Sequence, residues 1–232
     1  LSASFRDPSG FLFSRGGILY RQVNRKYEQE YARLMESGLY DKLVKAGLLI
    51  PHIEADQPAA ESEAAYKIIQ PERVPFISYP YEWSFGQLKD AALATLSIQR
   101  RALKMGMSLK DASAYNIQFV RGKATLIDTL SFEIYKEGQP WVAYRQFCQH
   151  FLLLLALMAL KDIRLNQLLR VYIDGVPLDL ASELLPFKTR FNFGLLTHIH
   201  LHASAQKKYS GADVKSRAAT MSKQAMTGLI ES

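Results

Sequence analysis

The sequence predicts an α+β fold of two lobes: a small antiparallel-sheet lobe over residues 1–81 and a larger helical lobe over residues 82–209. Three observations carry this. Up to about Tyr81, short apolar stretches alternate with turn sequences rich in Gly, Pro, Asp and Asn, the signature of strands joined by tight turns. At Ser84 the pattern changes to a long helical spacing of Leu88, Ala92, Leu96 and Leu103. From Pro140 onwards the spacing is helical throughout.

Phe11, Phe13, Ile18, Tyr20 and Val23 fall between the turn sequences Asp7-Pro8-Ser9-Gly10 and Arg15-Gly16-Gly17, so the chain opens as a meander. Asn24 is the expected N-cap of a helix carrying Tyr27, Tyr31, Leu34 and Met35 on one face and ending near Gly38. A second short helix spans Leu39–Ala46 and stops at Gly47. Glu54–Ala65, acidic and broken by Pro58, reads as an exposed loop. Tyr66–Ile69 and Val74–Tyr79 read as a hairpin about Pro71-Glu72-Arg73. Ser84 and Gln87 have capping-box spacing and open the long helix, which runs to Gly106. Ile117–Val120 and Ala124–Ile127 form a further hairpin around Arg121-Gly122-Lys123. Phe147–Leu160 is nearly continuously apolar and is expected to be a buried helix. Helix breaks follow at Asp174-Gly175, Pro177 and Pro186, and residues 210–232 read as a linker and helix.

Composition narrows the function classes. Hydrophobic residues make up 48% of 232 residues, enough for a sizeable core. One cysteine, Cys148, excludes a disulfide framework and fits a reducing cytoplasm. The longest apolar run, Phe151–Leu160, is too short to span a bilayer, so no membrane span is expected. No basic, apolar and small-residue succession marks a signal peptide. The net charge of +7 owes much to Lys207, Lys208, Lys215, Arg217 and Lys223, which read as a solvated face. No basic stripe is interleaved with aromatics over any length, so nucleic acid is not the expected partner. The chain starts at Leu1 and stops inside the amphipathic stretch Ser222–Ser232, and it is read as a piece of a larger protein.

The chemistry is concentrated in three polar positions. Asp111 lies in the loop Ser108–Asn116, Asn116 follows it by five residues and opens a hairpin, and Asp128 ends that hairpin's second strand. Phosphoryl transfer needs one carboxylate to orient the attacking hydroxyl and oxygen ligands to hold magnesium against phosphates. Asp111 suits the first role, Asn116 and Asp128 the second, and the cofactors implied are ATP and Mg2+. Arg21, on the expected strand Ile18-Leu19-Tyr20-Arg21, is placed to grip the phosphates in partnership with Glu30 or Glu28 of the next helix. Tyr79-Pro80-Tyr81-Glu82-Trp83 joins the two lobes, where backbone amides and the Tyr81 ring would border a base; the alternative is aromatic packing between the lobes. His198, His200 and His202 lack a nearby cysteine or carboxylate to complete a zinc shell. Cys148 and His150 fall in the apolar helix, a poor place for a nucleophile pair.

At Asp111, Asn116 and Asp128, and in the order of its elements, the chain resembles the aminoglycoside phosphotransferases and the protein-kinase-like fold. It departs from their pattern at Leu109, where they carry histidine, at Thr129-Leu130, which lacks their glycine, and at Arg21, which stands for their lysine. Over its whole length, at Arg6–Gly10, Tyr79–Ser84, Leu109–Asn116, Trp141–Cys148 and Leu196–His202, it also resembles the N-terminal region of bacterial methyltransferase-type proteins related to a nodulation protein. That resemblance implies a downstream S-adenosylmethionine-dependent methyltransferase domain as partner, with that cofactor bound there and not in these residues. The expected function is ATP- and magnesium-dependent phosphotransfer to a small hydroxylated molecule or glycan. The alternative is a catalytically silent pseudokinase that binds a nucleotide or substrate, or docks on the methyltransferase domain.

Overall fold

A computed structural model describes residues 7–201, 203–204 and 222–231. It is a mixed α+β fold with antiparallel sheets. β1 (Gly10–Arg15), β2 (Ile18–Asn24), β3 (His52–Glu54) and β4 (Ala65–Pro71) form one four-stranded sheet in the order β1-β2-β4-β3. In its register Arg21 of β2 lies between Leu12 of β1 and Ile69 of β4.

Between β2 and β3 run α1 (Glu28–Glu36) and α2 (Leu39–Lys45). Asn24 takes the N-cap position, but of a turn of 3-10 helix, Arg25–Tyr27, and without a side-chain cap bond: its amide bonds the Pro8 carbonyl instead. The expected hairpin at Val74–Tyr79 is also absent. β4 takes β2 and β3 as partners, while residues 74–79 carry no strand. Pro75 lacks the N–H donor that a ladder over 74–79 would need, and the Tyr40 hydroxyl accepts the His52 N–H (2.7 Å), fixing β3 beside β4.

α3 (Phe85–Lys104) is capped as its sequence implies, with reciprocal bonds between Ser84 and Gln87 (3.2 and 2.9 Å). One face, Leu88, Ala91, Ala92, Thr95, Ile98, Gln99, Ala102 and Leu103, is buried. The fully buried Gln99 accepts the Leu109 N–H (2.7 Å) and donates to Ser108 Oγ (3.0 Å), tying β5 (Met107–Leu109) to the helix. β6 (Ile117–Val120) and β7 (Lys123–Leu126) form the expected hairpin, and β8 (Phe132–Ile134) returns to pair with β5.

The apolar segment after Pro140 is helical but not uniform. α4 (Tyr144–Phe147) passes through a π-helical turn, Cys148–Leu152, into α5 (Leu153–Leu160). Phe151, Leu153, Leu154 and Leu157 are completely buried there. α6 (Leu178–Leu184), the short α7 (Phe193–Leu195) and α8 (Lys223–Glu231) complete the described chain. One core runs from Leu34 and Leu43 of the first two helices, through α3 and α5, to Met226 of α8. It therefore crosses the boundary expected near Tyr81. A smaller cluster, Val23, Tyr27, Tyr31, Ile69 and Leu130, lies beneath the sheet. Among the described residues no helix is long and apolar enough to cross a membrane.

Candidate functional site

Two strand pairs place two loops side by side. The loop from Lys110 to Asn116 leaves β5 and enters β6; the loop from Ile127 to Ser131 leaves β7 and enters β8. Because β5 pairs β8 and β6 pairs β7, the loops are bound at both ends. The Ile127 N–H donates to the Asn116 carbonyl (2.8 Å) and the Lys110 N–H to the Ser131 carbonyl (2.8 Å).

The first loop is pinned by side chains from distant elements. Trp141 Nε1 donates to the Leu109 carbonyl (2.8 Å), Gln146 Oε1 accepts the Ala112 N–H (2.6 Å), and the Tyr115 hydroxyl donates to the Leu169 carbonyl (2.8 Å). Asp111 Oδ1 accepts the Ser113 N–H (2.9 Å), the local turn that its short carboxylate favours. In the second loop Asp128 Oδ1 accepts the Leu130 N–H (2.8 Å). Each acid is thus fixed by a residue two positions on.

Above the second loop stands β2. Arg21 reaches down from it and its guanidinium meets Asp128 Oδ1 at 2.5 Å; the two side chains are only 10% and 16% exposed. The sheet, residues 70–77 and the two loops enclose a cleft of about 840 Å³. Leu12, Ile18, Leu19, Ile50 and Ile69 line its apolar part, while Arg21, Asn116 and Asp128 supply its polar end. Two buried donors of that polar end, Arg21 Nε and Asn116 Nδ2, have no hydrogen-bond partner. Buried donors are almost always satisfied, so a pair left open in one cleft suits an acceptor-rich ligand.

The expected site residues therefore divide. Arg21, Asn116 and Asp128 share the cleft. Asp111 sits on the adjoining loop and does not line it. The expected pairing of Arg21 with Glu30 or Glu28 is replaced by pairing with Asp128; Glu28 is exposed on the first turn of α1, and Glu30 is half-buried two residues further on. Both follow the 3-10 turn, which displaces the start of α1 from Asn24. Tyr81 does not border the cleft either. Its ring stacks on Tyr79 (5.4 Å, 4° between planes) under the Arg170 guanidinium, and its carbonyl accepts from Asn166 and Gln167.

Sequence reasoning missed the apolar lining, because Ile50, Ile69 and Leu12 are indistinguishable from core residues until the sheet is assembled. It also missed Trp141 and Gln146, whose hydrogen-bonding roles depend on contacts 32 and 34 residues away.

The remaining candidates have local explanations. His198 Nδ1 bonds the Tyr144 hydroxyl, while His200 bonds Ser182 Oγ (2.7 Å) and Thr189 Oγ1 (2.8 Å). His202 lies outside the described residues. Among the described residues no group of three His, Cys, Asp or Glu side chains is disposed to hold a metal. Cys148 is fully buried and burial pushes its thiol up to about 11, which leaves it unreactive.

His150 is 1% exposed, lies edge-on to the Tyr115 ring, and is lowered to about 4 by burial. A histidine depressed on folding stabilises the neutral form, so its contribution is intact above about pH 6.5 and is lost as pH falls towards 4. Near pH 5 the loss is about 2 kcal/mol. Urea unfolding of the protein at pH 7 and pH 5, beside a His150→Leu variant, checks this: the variant's stability is expected to fall less between the two conditions.

The chain is 35% identical over 208 residues to nodulation protein NoeA of Rhizobium meliloti (strain 1021). The match covers 89% of this chain and 43% of that relative, so the chain spans less than half the relative's length. No family model matches the chain.

Proposed function

We propose that this chain is a kinase-like module that binds magnesium and ATP in the Arg21–Asn116–Asp128 cleft and transfers the γ-phosphoryl group to a small hydroxylated molecule or a glycan. The observation that carries the reading is the convergence of Arg21, Asn116 and Asp128 on one cleft whose two open buried donors are matched to phosphate oxygens. The oxygens of Asn116 and Asp128 are hard ligands of the kind that magnesium takes, so the residues fit the cation. Bound there, the cation would neutralise charge on the phosphates.

The chain's own residues then have distinct tasks. Arg21 holds a phosphate oxygen with the N–H groups not used on Asp128. Asn116 donates through its amide nitrogen. The apolar wall of Leu12, Ile18, Leu19 and Ile69 receives the base. Asp111 accepts the proton of the acceptor hydroxyl as its oxygen bonds to the γ-phosphorus and the bond to the β-phosphate oxygen breaks. ADP leaves, and the proton passes from Asp111 to solvent. In a longer protein of this kind the module would work beside a methyltransferase domain that carries its own S-adenosylmethionine.

A second reading, a silent pseudokinase, is favoured by one observation. Arg21 already closes on Asp128, and Asp111 stands outside the cleft. Incubation with γ-labelled ATP, magnesium and a panel of sugars and amino sugars tests the choice. Label transferred to an acceptor supports the phosphotransferase; nucleotide binding with no transfer to any acceptor, and no ADP formed, supports the silent module.

A further inference from the structure

Away from the cleft, one surface is unlike the rest. Phe187, Phe191 and Phe193 are 71%, 81% and 80% exposed, within seven residues of one another. Scattered exposed apolar residues are ordinary, but three large aromatics within seven residues are not. The turn that displays them is held: Thr189, between them in sequence, is buried, and its hydroxyl bonds both the Pro186 carbonyl (2.7 Å) and His200 (2.8 Å). Their exposure therefore belongs to a fixed 3-10 turn, Phe187–Phe191, and to the start of α7.

Lys188 and Arg190 are exposed between the phenylalanines, and the sequence carries no Asp or Glu from Leu184 to Ala212, the exposed Glu183 on α6 being the nearest acid before it. Aromatic bulk interleaved with cations is complementary to a surface that is apolar beneath and anionic on top. The ring geometry narrows the partner. Phe187 and Phe191 meet edge to face at 5.7 Å and 79°, and the Arg190 guanidinium covers the Phe187 ring at 5.7 Å. Phe187 and Phe191 stand at a steep angle to each other, unlike the parallel faces on which successive nucleic-acid bases stack. Phenylalanine also brings no hydrogen-bonding group to read a protein or a base.

We infer that the Phe187–Phe193 turn is a membrane-interface contact, with the three phenylalanines entering the acyl boundary of an anionic bilayer and Lys188 and Arg190 engaging its headgroups. The inference is independent of what the cleft binds.

Co-sedimentation of the whole chain with phosphatidylcholine vesicles, with and without phosphatidylglycerol, tests it. Binding is expected to the mixed vesicles, to weaken with salt, and to fall roughly tenfold or more in the Phe191→Ser, Phe193→Ser variant. Lys188→Glu with Arg190→Glu is expected to remove the preference for phosphatidylglycerol. All four side chains are exposed, so both variants should melt as the parent does. No binding to mixed vesicles would overturn the proposal. So would binding that survives the phenylalanine changes, which would assign it to lysines elsewhere in the chain. Self-association in sedimentation velocity that the phenylalanine variant abolishes, without vesicle binding, would make the turn a contact between copies. Vesicle-independent capture of single-stranded RNA, lost in the same variant, would likewise replace it.

Discussion

The Asp111→Asn variant is expected to bind magnesium and ATP as the parent does and to lose on the order of a hundred- to ten-thousand-fold in phosphoryl transfer, the range that removal of a general base produces. The separation follows from position. Asp111 is on the loop beside the cleft and not in its wall, while its backbone is fixed by Trp141 from one side and Gln146 from the other. Asn accepts the Ser113 N–H through its side-chain oxygen as Asp does, so the loop should keep its turn. Single-turnover transfer together with nucleotide titration checks this. Equal loss of binding and transfer would mean that Asp111 contacts the nucleotide, contrary to the role proposed.

Asp128→Ala is expected to lower the unfolding free energy by about 3 kcal/mol, because it leaves the Arg21 guanidinium at a nearly buried site with no anion. Replacing both partners by apolar residues, Arg21→Met with Asp128→Leu, should recover most of that loss, since neither then leaves a charge stranded. Nucleotide binding should fail in both. The cycle of single and double variants in urea, at unchanged m-value, measures the coupling. A purely additive double variant would mean that the pair contributes nothing through contact.

Much of the fold was legible because it rests on local signals. The Ser84–Gln87 cap, the turn at Arg121-Gly122-Lys123 and the near-continuous apolar run at 147–160 state their structures in adjacent residues. The failures came where a strand's partner is distant. β4 chose β2 and β3 over the neighbouring segment 74–79, and Pro75, which works against the nearer pairing, was present in the sequence but was read within a strand. The site shows the same division. Asn116 and Asp128, which share the cleft, were singled out by spacing within one loop-hairpin unit, as was Asp111, which lies beside it. The partner of Arg21 was misassigned because the choice between α1 and the loop after β7 depends on where the 3-10 turn at Arg25–Tyr27 sets the helix. The division of the chain near Tyr81 was drawn from the change in pattern from strands to helix, which says nothing about a core that continues from α2 into α5.

Calorimetric titration with a non-hydrolysable ATP analogue, with and without magnesium, tests the central claim most directly. Asp128 would engage the nucleotide through the cation, so binding should be at least roughly tenfold tighter with magnesium, and Asp128→Asn should remove that difference. No heat of binding in either condition, or binding indifferent to both magnesium and Asp128, would contradict a nucleotide site in this cleft.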